Sequence, residues 1–337
     1  MIQVSPLDAA SLVFRAKYVS TLPIPARHRF ISAQSATYFD GDSLHVWYGS
    51  TLPRVEKDEL YYVRSADFIN WSTPTKVISL LPLESIRDPT QIVDKGKIYL
   101  FCQVYNMGLG SYNRVALYSI PIKANYALPA NYTFVGNPIS RGGGGSFDAW
   151  MAASPTARKI GTEYYLVYEA CDVRHGIQTI GKASTSDLEQ VPYARLGPLL
   201  DQNQAALVVP ENMHTQLVPD TYFNDSILYV HYNGPALAEH WNVGIVYHPT
   251  ESFASPYGFT IYLDNVSQSR PKSIAPSGQQ MIPAAYDWAT IGTVGIVGRY
   301  FYFLIQGWNT GGGFPWITDP SLYLMRTPLT HVPPEHK

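Results

Sequence analysis

Charge is scarce in this chain, and neither sign prevails. Asp, Glu, Lys and Arg together make up 15% of its 337 residues, and the formal net charge is −2. A nucleic-acid partner calls for a basic patch or stripe, and the scattered Lys and Arg provide none, which argues against that class of partner. Cysteine is almost missing. Cys102 and Cys171 each sit inside an apolar, strand-like run (YLFCQVY and YLVYEACD), the setting of buried free thiols rather than of a disulfide or a metal site. No apolar run reaches the length of a membrane span, so no membrane insertion is expected. The opening residues, MIQVSPLDAASLVFRAK, lack an apolar h-region and a cleavage-like site. No signal peptide is visible, and the compartment stays open between the cytoplasm and a processed, secreted protein. Helical periodicity is nearly absent. So are the metalloprotease, nucleophile-elbow and dinucleotide fingerprints, and no redox cofactor is implied.

What is abundant is aromatic and strand-forming. Hydrophobic residues reach 46%, enough for a sizeable core, and 25 Tyr and 7 Trp supply flat faces suited to sheet packing and to stacking on sugar rings. A single pattern recurs: an extended apolar segment, a polar turn, then an aromatic-rich strand. The copies are TYFDGDSLHVWYGS (37–50), TQIVDKGKIYLFCQVY (90–105), TARKIGTEYYLVYEA (156–170), VPDTYFNDSILYVHYNG (218–234) and VGIVGRYFYFLIQGW (294–308). Their turns fall at Asp40-Gly41, Lys95-Gly96, Ile160-Gly161, Asn224-Asp225 and Val297-Gly298, residues that tolerate positive φ between β-prone runs. A third strand follows most copies. Two of these strands end in a Ser/Thr-x-Asp element at Asp67 and Asp187, where an acidic side chain can cap a turn. The repeat predicts an all-β fold, a five-bladed β-propeller in one domain over 1–337. The blades run approximately over 30–75, 86–125, 148–192, 214–250 and 286–330. A pair of β-sandwiches is the alternative, and it leaves the fivefold pattern without a cause. The glycine run Arg141-Gly-Gly-Gly-Gly-Ser146 reads as a loop between the second and third copies. It has no Lys-Ser/Thr and no helix after it to cradle a phosphate.

Arg87-Asp88-Pro89 before a strand, the glycine turn, the Tyr-Leu-Phe run and the element Ser65, Asp67, Phe68, Trp71 carry a resemblance. The chain resembles the five-bladed propeller superfamily of glycoside hydrolases that includes families 32, 43, 62, 68 and 117, over roughly positions 30 to 330. The resemblance implies a pocket at the mouth of the central channel, lined by carboxylates from the innermost strands. The first blade would give a base or nucleophile, the second an Asp that orients substrate or stabilises the transition state, and the third a general acid. Glycoside cleavage needs such a set because the leaving oxygen is protonated on one side while a carboxylate acts on the other.

Carried over position by position, Asp88 matches the second-blade Asp, eight residues before Gly96. The first-blade position holds Gln34 or Ser35, and the third-blade position Ala153 or Ser154, where relatives have Asp and Glu. The candidate catalytic set is therefore Asp88, Asp148 (set among Phe147, Trp150 and Met151) and Asp287 beside Trp288. Gln34, Arg87, Trp150, His214, Gln216 and Trp288 are the candidate substrate-binding residues, with a carbohydrate as partner. No metal site is predicted, although a structural cation in the channel is compatible with the resemblance. Asp88, Ser154, Gln216 and Thr290, with Gln34, are expected near the starts of innermost strands. The rival reading is a propeller that binds carbohydrate without cleaving it, as a lectin-like or receptor-recognition domain. The departures at the first and third blades favour that rival, and the retained acidic residues favour hydrolysis.

Overall fold

The structure, a computed structural model, describes residues 17–25, 28, 30–32, 36–51, 57–173, 179–198, 212–217, 226–233, 241–248, 260–263, 288–309 and 318–328. Among the described residues, apart from one 3-10 turn at Pro129–Asn131, the regular structure is all strand. The first described strand is β1 (Lys17–Leu22), which pairs with the last described one. A sheet follows from β2 (Phe30–Ser32), β3 (Thr37–Phe39), β4 (Leu44–Thr51), β5 (Asp58–Ser65) and β6 (Thr75–Ile78), in which β2 and β3 both pair with β4. The next sheets are β7 (Glu84–Asp94), β8 (Lys97–Asn106), β9 (Ser111–Pro121) and β10 (Thr133–Ser140), then β11 (Met151–Ile160), β12 (Glu163–Cys171), β13 (Thr179–Thr185) and β14 (Ala194–Pro198). After these come β15 (Asn212–Leu217), β16 (Ser226–Asn233), β17 (Trp241–His248) and β18 (Thr260–Leu263). In the last sheet β19 (Trp288–Val297), β20 (Tyr300–Asn309) and β21 (Thr318–Pro328) are completed by β1, so the first described strand closes the final sheet.

Every described pairing is antiparallel, the first four sheets pack against one another in chain order and the last packs against the first, the arrangement of an all-β propeller. Among the described residues no helix is long and apolar enough to cross a membrane.

The second strand of a sheet shows why the sequence runs are so apolar. On β8, Ile98, Leu100, Cys102 and Val104 face the preceding sheet, while Tyr99 and Phe101 enter a second cluster with the following one. Both faces are buried, so the usual alternation of apolar and polar disappears. Trp47 is completely buried between the first two sheets, its indole N–H donating to the Tyr132 hydroxyl, and Trp71 lies against the contact between the first and last sheets. The two thiols are buried and free, as their apolar runs suggested.

Four of the predicted turns lie among the described residues. Gly41, Gly96, Gly161 and Gly298 all have positive φ, and Lys95 joins Gly96 at φ 46°, the pair of positive values that a tight hairpin turn requires. Asn224-Asp225 lies outside the described residues. Asp67 caps its turn as predicted. One carboxylate oxygen accepts the Ile69 and Asn70 backbone N–H groups at 2.9 and 2.7 Å, and these bonds hold its carboxyl well below the usual range. Asp187 accepts the Glu189 N–H in the same way.

Candidate functional site

The site begins with an interruption in β7. Pairing with β8 is regular up to Arg87 opposite Gln103 and resumes at Thr90 opposite Phe101, so Asp88 and Pro89 together face one residue. This is a β-bulge, and Asp88 at its head takes φ 48°, a left-handed conformation that costs a non-glycine residue roughly 1–2 kcal/mol. The strand β11 repeats the device one sheet later. Its ladder shifts between Ala153 and Thr156, Ser154 stands at φ 42°, and Pro155 follows.

In each bulge the backbone N–H is taken up by a side chain of the preceding sheet. Asp88 N–H donates to Ser32 Oγ at 3.0 Å, and Ser154 N–H to Gln103 Oε1 at 2.6 Å. The structure thus places Ser154 where Asp88 stands one sheet earlier. Strained positions of this kind concentrate at functional sites.

Close approach of two backbones makes the first bulge fit. A Cβ on Gly49 of β4 would lie 2.8 Å from both Cα and Cβ of Arg87 and 2.5 Å from Ser32 Oγ. Only glycine lets β7 come this near, with the bulge and its Ser32 acceptor in register.

Around the bulge is a charged and aromatic group, its two carboxylates buried and Arg87, Tyr105 and Tyr112 half-buried. Asp58, the first residue of β5, is 4% exposed and Asp88 6%. Arg87 Nε lies 3.0 Å from Asp58 Oδ2 as an ion pair, and the Asp58 N–H donates to Ser85 Oγ at 2.9 Å. The Arg87 guanidinium also rests on Tyr112 and Tyr105, 5.2 and 5.7 Å from their ring centres. Tyr112 and Trp150 pack in turn against Met151, Ala153 and Cys171, which brings the start of β11 to the same place.

Burial works against the Arg87 charge, but Asp58 above all, then Tyr112, Asp88 and Tyr105, hold it firmly protonated. Burial likewise pushes the Asp58 carboxyl up to about 6; the Arg87 charge opposes this and the Asp88 charge adds to it. No hydrogen bond from the described residues reaches the Asp88 carboxylate. Glu169, on β12 opposite Ala153, is close enough for its charge to bear on Tyr112.

Asp148 is more deeply buried, at 0% exposed, and fully engaged. Its Oδ1 accepts from Ser146 Oγ at 2.9 Å, and its Oδ2 from Tyr168 Oη and Arg195 Nε, each at 2.9 Å. Arg195 lies on β14 and also donates to the Ser140 carbonyl on β10, so the group ties the outer strands of two sheets. The glycine run is a hydrogen-bonded turn folded onto this aspartate. Gly142 N–H donates to the Asp148 carbonyl, and a Cβ there would meet Asp148 Oδ1 at 2.3 Å. None of these partners is shared with Asp58, Arg87 or Asp88.

Of the residues singled out from sequence, Arg87, Asp88 and Trp150 therefore belong to one neighbourhood, and Asp148 belongs to another. Gln34 and Asp287 lie outside the described residues. His214 and Gln216 fall on β15, and Trp288 and Thr290 on β19, each an end strand of its sheet; their side chains are outside the described part. Sequence reasoning missed Asp58, Tyr105 and Tyr112. The available signals were an acidic residue opening a strand in a charge-poor chain, and two tyrosines flanking the Met107–Gly110 turn. Among the described residues no group of three or more His, Cys, Asp or Glu side chains is placed to hold a metal ion.

No protein family matches the chain, and no curated protein matches it. Solved structures do match in shape. A family 117 glycoside hydrolase from the marine bacterium Zobellia galactanivorans superposes over 96% of this chain and 93% of its own, with a TM-score of 0.58 and 15% identity. The catalytic domain of the family 62 α-L-arabinofuranosidase of Coprinopsis cinerea covers 94% of this chain and 97% of its own, at TM-score 0.57 and 14% identity. A family 32 β-fructofuranosidase from Bombyx mori covers 95% of this chain and 65% of its own longer chain, at TM-score 0.61 and 13% identity. At such identities the likeness establishes the fold: an all-β propeller of the type these glycoside hydrolases share.

Proposed function

We propose that the chain is a single-domain propeller of five blades that acts as a glycoside hydrolase, through carboxylates at the mouth of its central channel. The observation that carries this reading is the Arg87-Asp88-Pro89 bulge. A strained inner strand holds a buried carboxylate, left without hydrogen bonds from the described residues, beside a paired guanidinium and two tyrosines. Asp88 orients the sugar or stabilises the positive charge that develops on its ring. Arg87 and Trp150 bind substrate, with Gln34, His214, Gln216 and Trp288 contributed by the other inner strands. Asp287, immediately before β19 in sequence, supplies the acid or base, because three hydrogen bonds already occupy the Asp148 carboxylate. Asp148 acts in this reading as a brace.

The neighbours named as arabinofuranosidase and fructofuranosidase suggest the first substrates to offer, aryl arabinofuranosides and fructofuranosides, followed by natural oligosaccharides. Release of a free sugar by the wild type, with kcat lost in Asp88→Asn, is the expected result. Glycan binding without turnover on any of these would replace hydrolysis with the non-catalytic, carbohydrate-binding reading. An experimental structure with a number of inner strands other than five around the axis would overturn the blade count.

A further inference from the structure

The Asp88 site contains a second buried carboxylate, Asp58, which none of the roles above uses. It comes from a different sheet, at the first position of β5, and reaches across the contact between the first two sheets to meet Arg87 Nε at 3.0 Å. Arg87 stands next to Asp88 in sequence and, left to itself, would neutralise whichever carboxylate it could reach. The left-handed turn at Asp88 and the Ser32 anchor on its N–H fix the backbone there. The Tyr105 and Tyr112 rings confine the guanidinium from the other side.

We propose that Asp58 is a positioning residue for this site: it draws Arg87 to the β5 side and so keeps the Asp88 carboxylate available to substrate. The inference deepens the glycan-processing reading and rests on it for the word substrate. The Asp58–Arg87 arrangement itself does not.

The proposal has a pH signature. The charged and titratable groups around Asp58 are Arg87 and Asp88 on β7, Tyr105 on β8, Tyr112 on β9 and, acting on Tyr112, Glu169 on β12. The tyrosine Tyr112 is pushed up by burial and stays neutral through the neutral range, and Arg87 stays charged. With the Asp58 carboxyl raised to about 6, mild acid neutralises it and loosens its hold on Arg87. The guanidinium then turns toward Asp88. Activity that depends on an available Asp88 falls as the pH drops through that value, and returns as Asp58 ionises.

The experiment uses the full chain labelled with 15N-arginine. The Arg87 Nε–Hε signal is identified by its loss in Arg87→Lys and followed from about pH 4 to 8. In the wild type it should shift with a midpoint near 6, still titrate in Asp88→Asn with the midpoint lowered by loss of the neighbouring charge, and cease to titrate in Asp58→Asn, which preserves shape and deletes charge. In parallel, kcat on aryl arabinofuranosides and fructofuranosides should show an acid limb at the same pH. Asp58→Asn should flatten that limb while KM changes less than about threefold. A signal that is pH-independent in the wild type, or titrates alike in Asp58→Asn, overturns the proposal even where turnover is found. So does an acid limb that Asp58→Asn leaves in place. If no glycoside is turned over, the hydrolase reading fails while the arginine signal still decides whether Asp58 governs Arg87.

Discussion

Asp88 and Asp148 are both shut away from water, yet what surrounds them differs in kind. Asp148 accepts hydrogen bonds from Ser146, Tyr168 and Arg195, and so links the outer strands of neighbouring sheets. Asp88 receives no such bonds from the described residues. It sits on a strained backbone, with a second carboxylate near enough to repel it. A buried charge whose every acceptor site is met contributes to holding the fold together, and removing it leaves partners stranded. A buried charge with unfilled acceptor sites destabilises the free protein and gains its compensation when a ligand arrives. Burial alone does not separate the two, whereas the inventory of partners does.

The comparison can be broken by exchanging the consequences. Asp88→Asn is expected to lower kcat roughly 10²–10³-fold, the scale for removing one electrostatic stabiliser of a transition state. Urea unfolding should show stability unchanged to within about 1 kcal/mol, or improved, because a like charge beside Asp58 has gone. Asp148→Ala should do the reverse. Its unfolding free energy should drop by about 3 kcal/mol, at the low end for a buried pair since Arg195 is partly exposed, while kcat and KM of the folded protein stay near wild type. If Asp148→Ala loses turnover at full stability, the two aspartates have been assigned the wrong way round.

Two further measurements sharpen the Asp88 side without altering Asp88. Gly49→Ala forces β4 and β7 apart at Arg87 and should cost about 1–3 kcal/mol, together with a fall in kcat larger than any rise in KM. A normal thermal midpoint and normal kinetics would show that the close approach is dispensable. The second measurement concerns Asp58. Its carboxyl is raised in the folded protein, so folding takes up a proton. The resulting stabilisation is complete below about pH 4 and is lost as the pH rises through about 6. It amounts to about 3 kcal/mol, and the Asp58→Asn chain should lack this slope in urea titrations across that range.

The fold was largely legible because its determinants are local and repeated. Hairpin turns need residues that accept positive φ, and Gly41, Gly96, Gly161 and Gly298 announced them. Strands buried on both faces read as unbroken apolar runs, as on β8. The Arg87-Asp88-Pro89 triplet was legible as a polar break beside an apolar run, although it interrupts β7 from within instead of preceding the strand. Asp58 was not. Its role arises from a contact across two sheets that no spacing along the chain encodes, and it begins its strand two residues before the apolar run that revealed it. Asp148 was misleading in an instructive way. Apolar neighbours in sequence suggested a carboxylic acid in a dry pocket, but the bonding that defines it comes from Tyr168 and Arg195, far along the chain. The equivalence of Ser154 to Asp88 was half visible, and the bulge decides between it and Ala153.

The strand β1 has a consequence for how the protein comes into being. Lys17–Leu22 pairs with β21, whose residues emerge from the ribosome roughly 300 positions later. At about 5–20 residues per second the first strand waits on the order of fifteen to sixty seconds for the partner that will complete its ladder. During that interval the hydrogen-bonding groups of β1 stand open, and the last described sheet cannot close until β21 has been made. Ring closure is thus the slow, non-local event of biogenesis. A permutant in which Lys17–Leu22 follows β21 through a linker would turn that pairing into a local one. Such a permutant should close its last sheet sooner while keeping the same set of strand pairs.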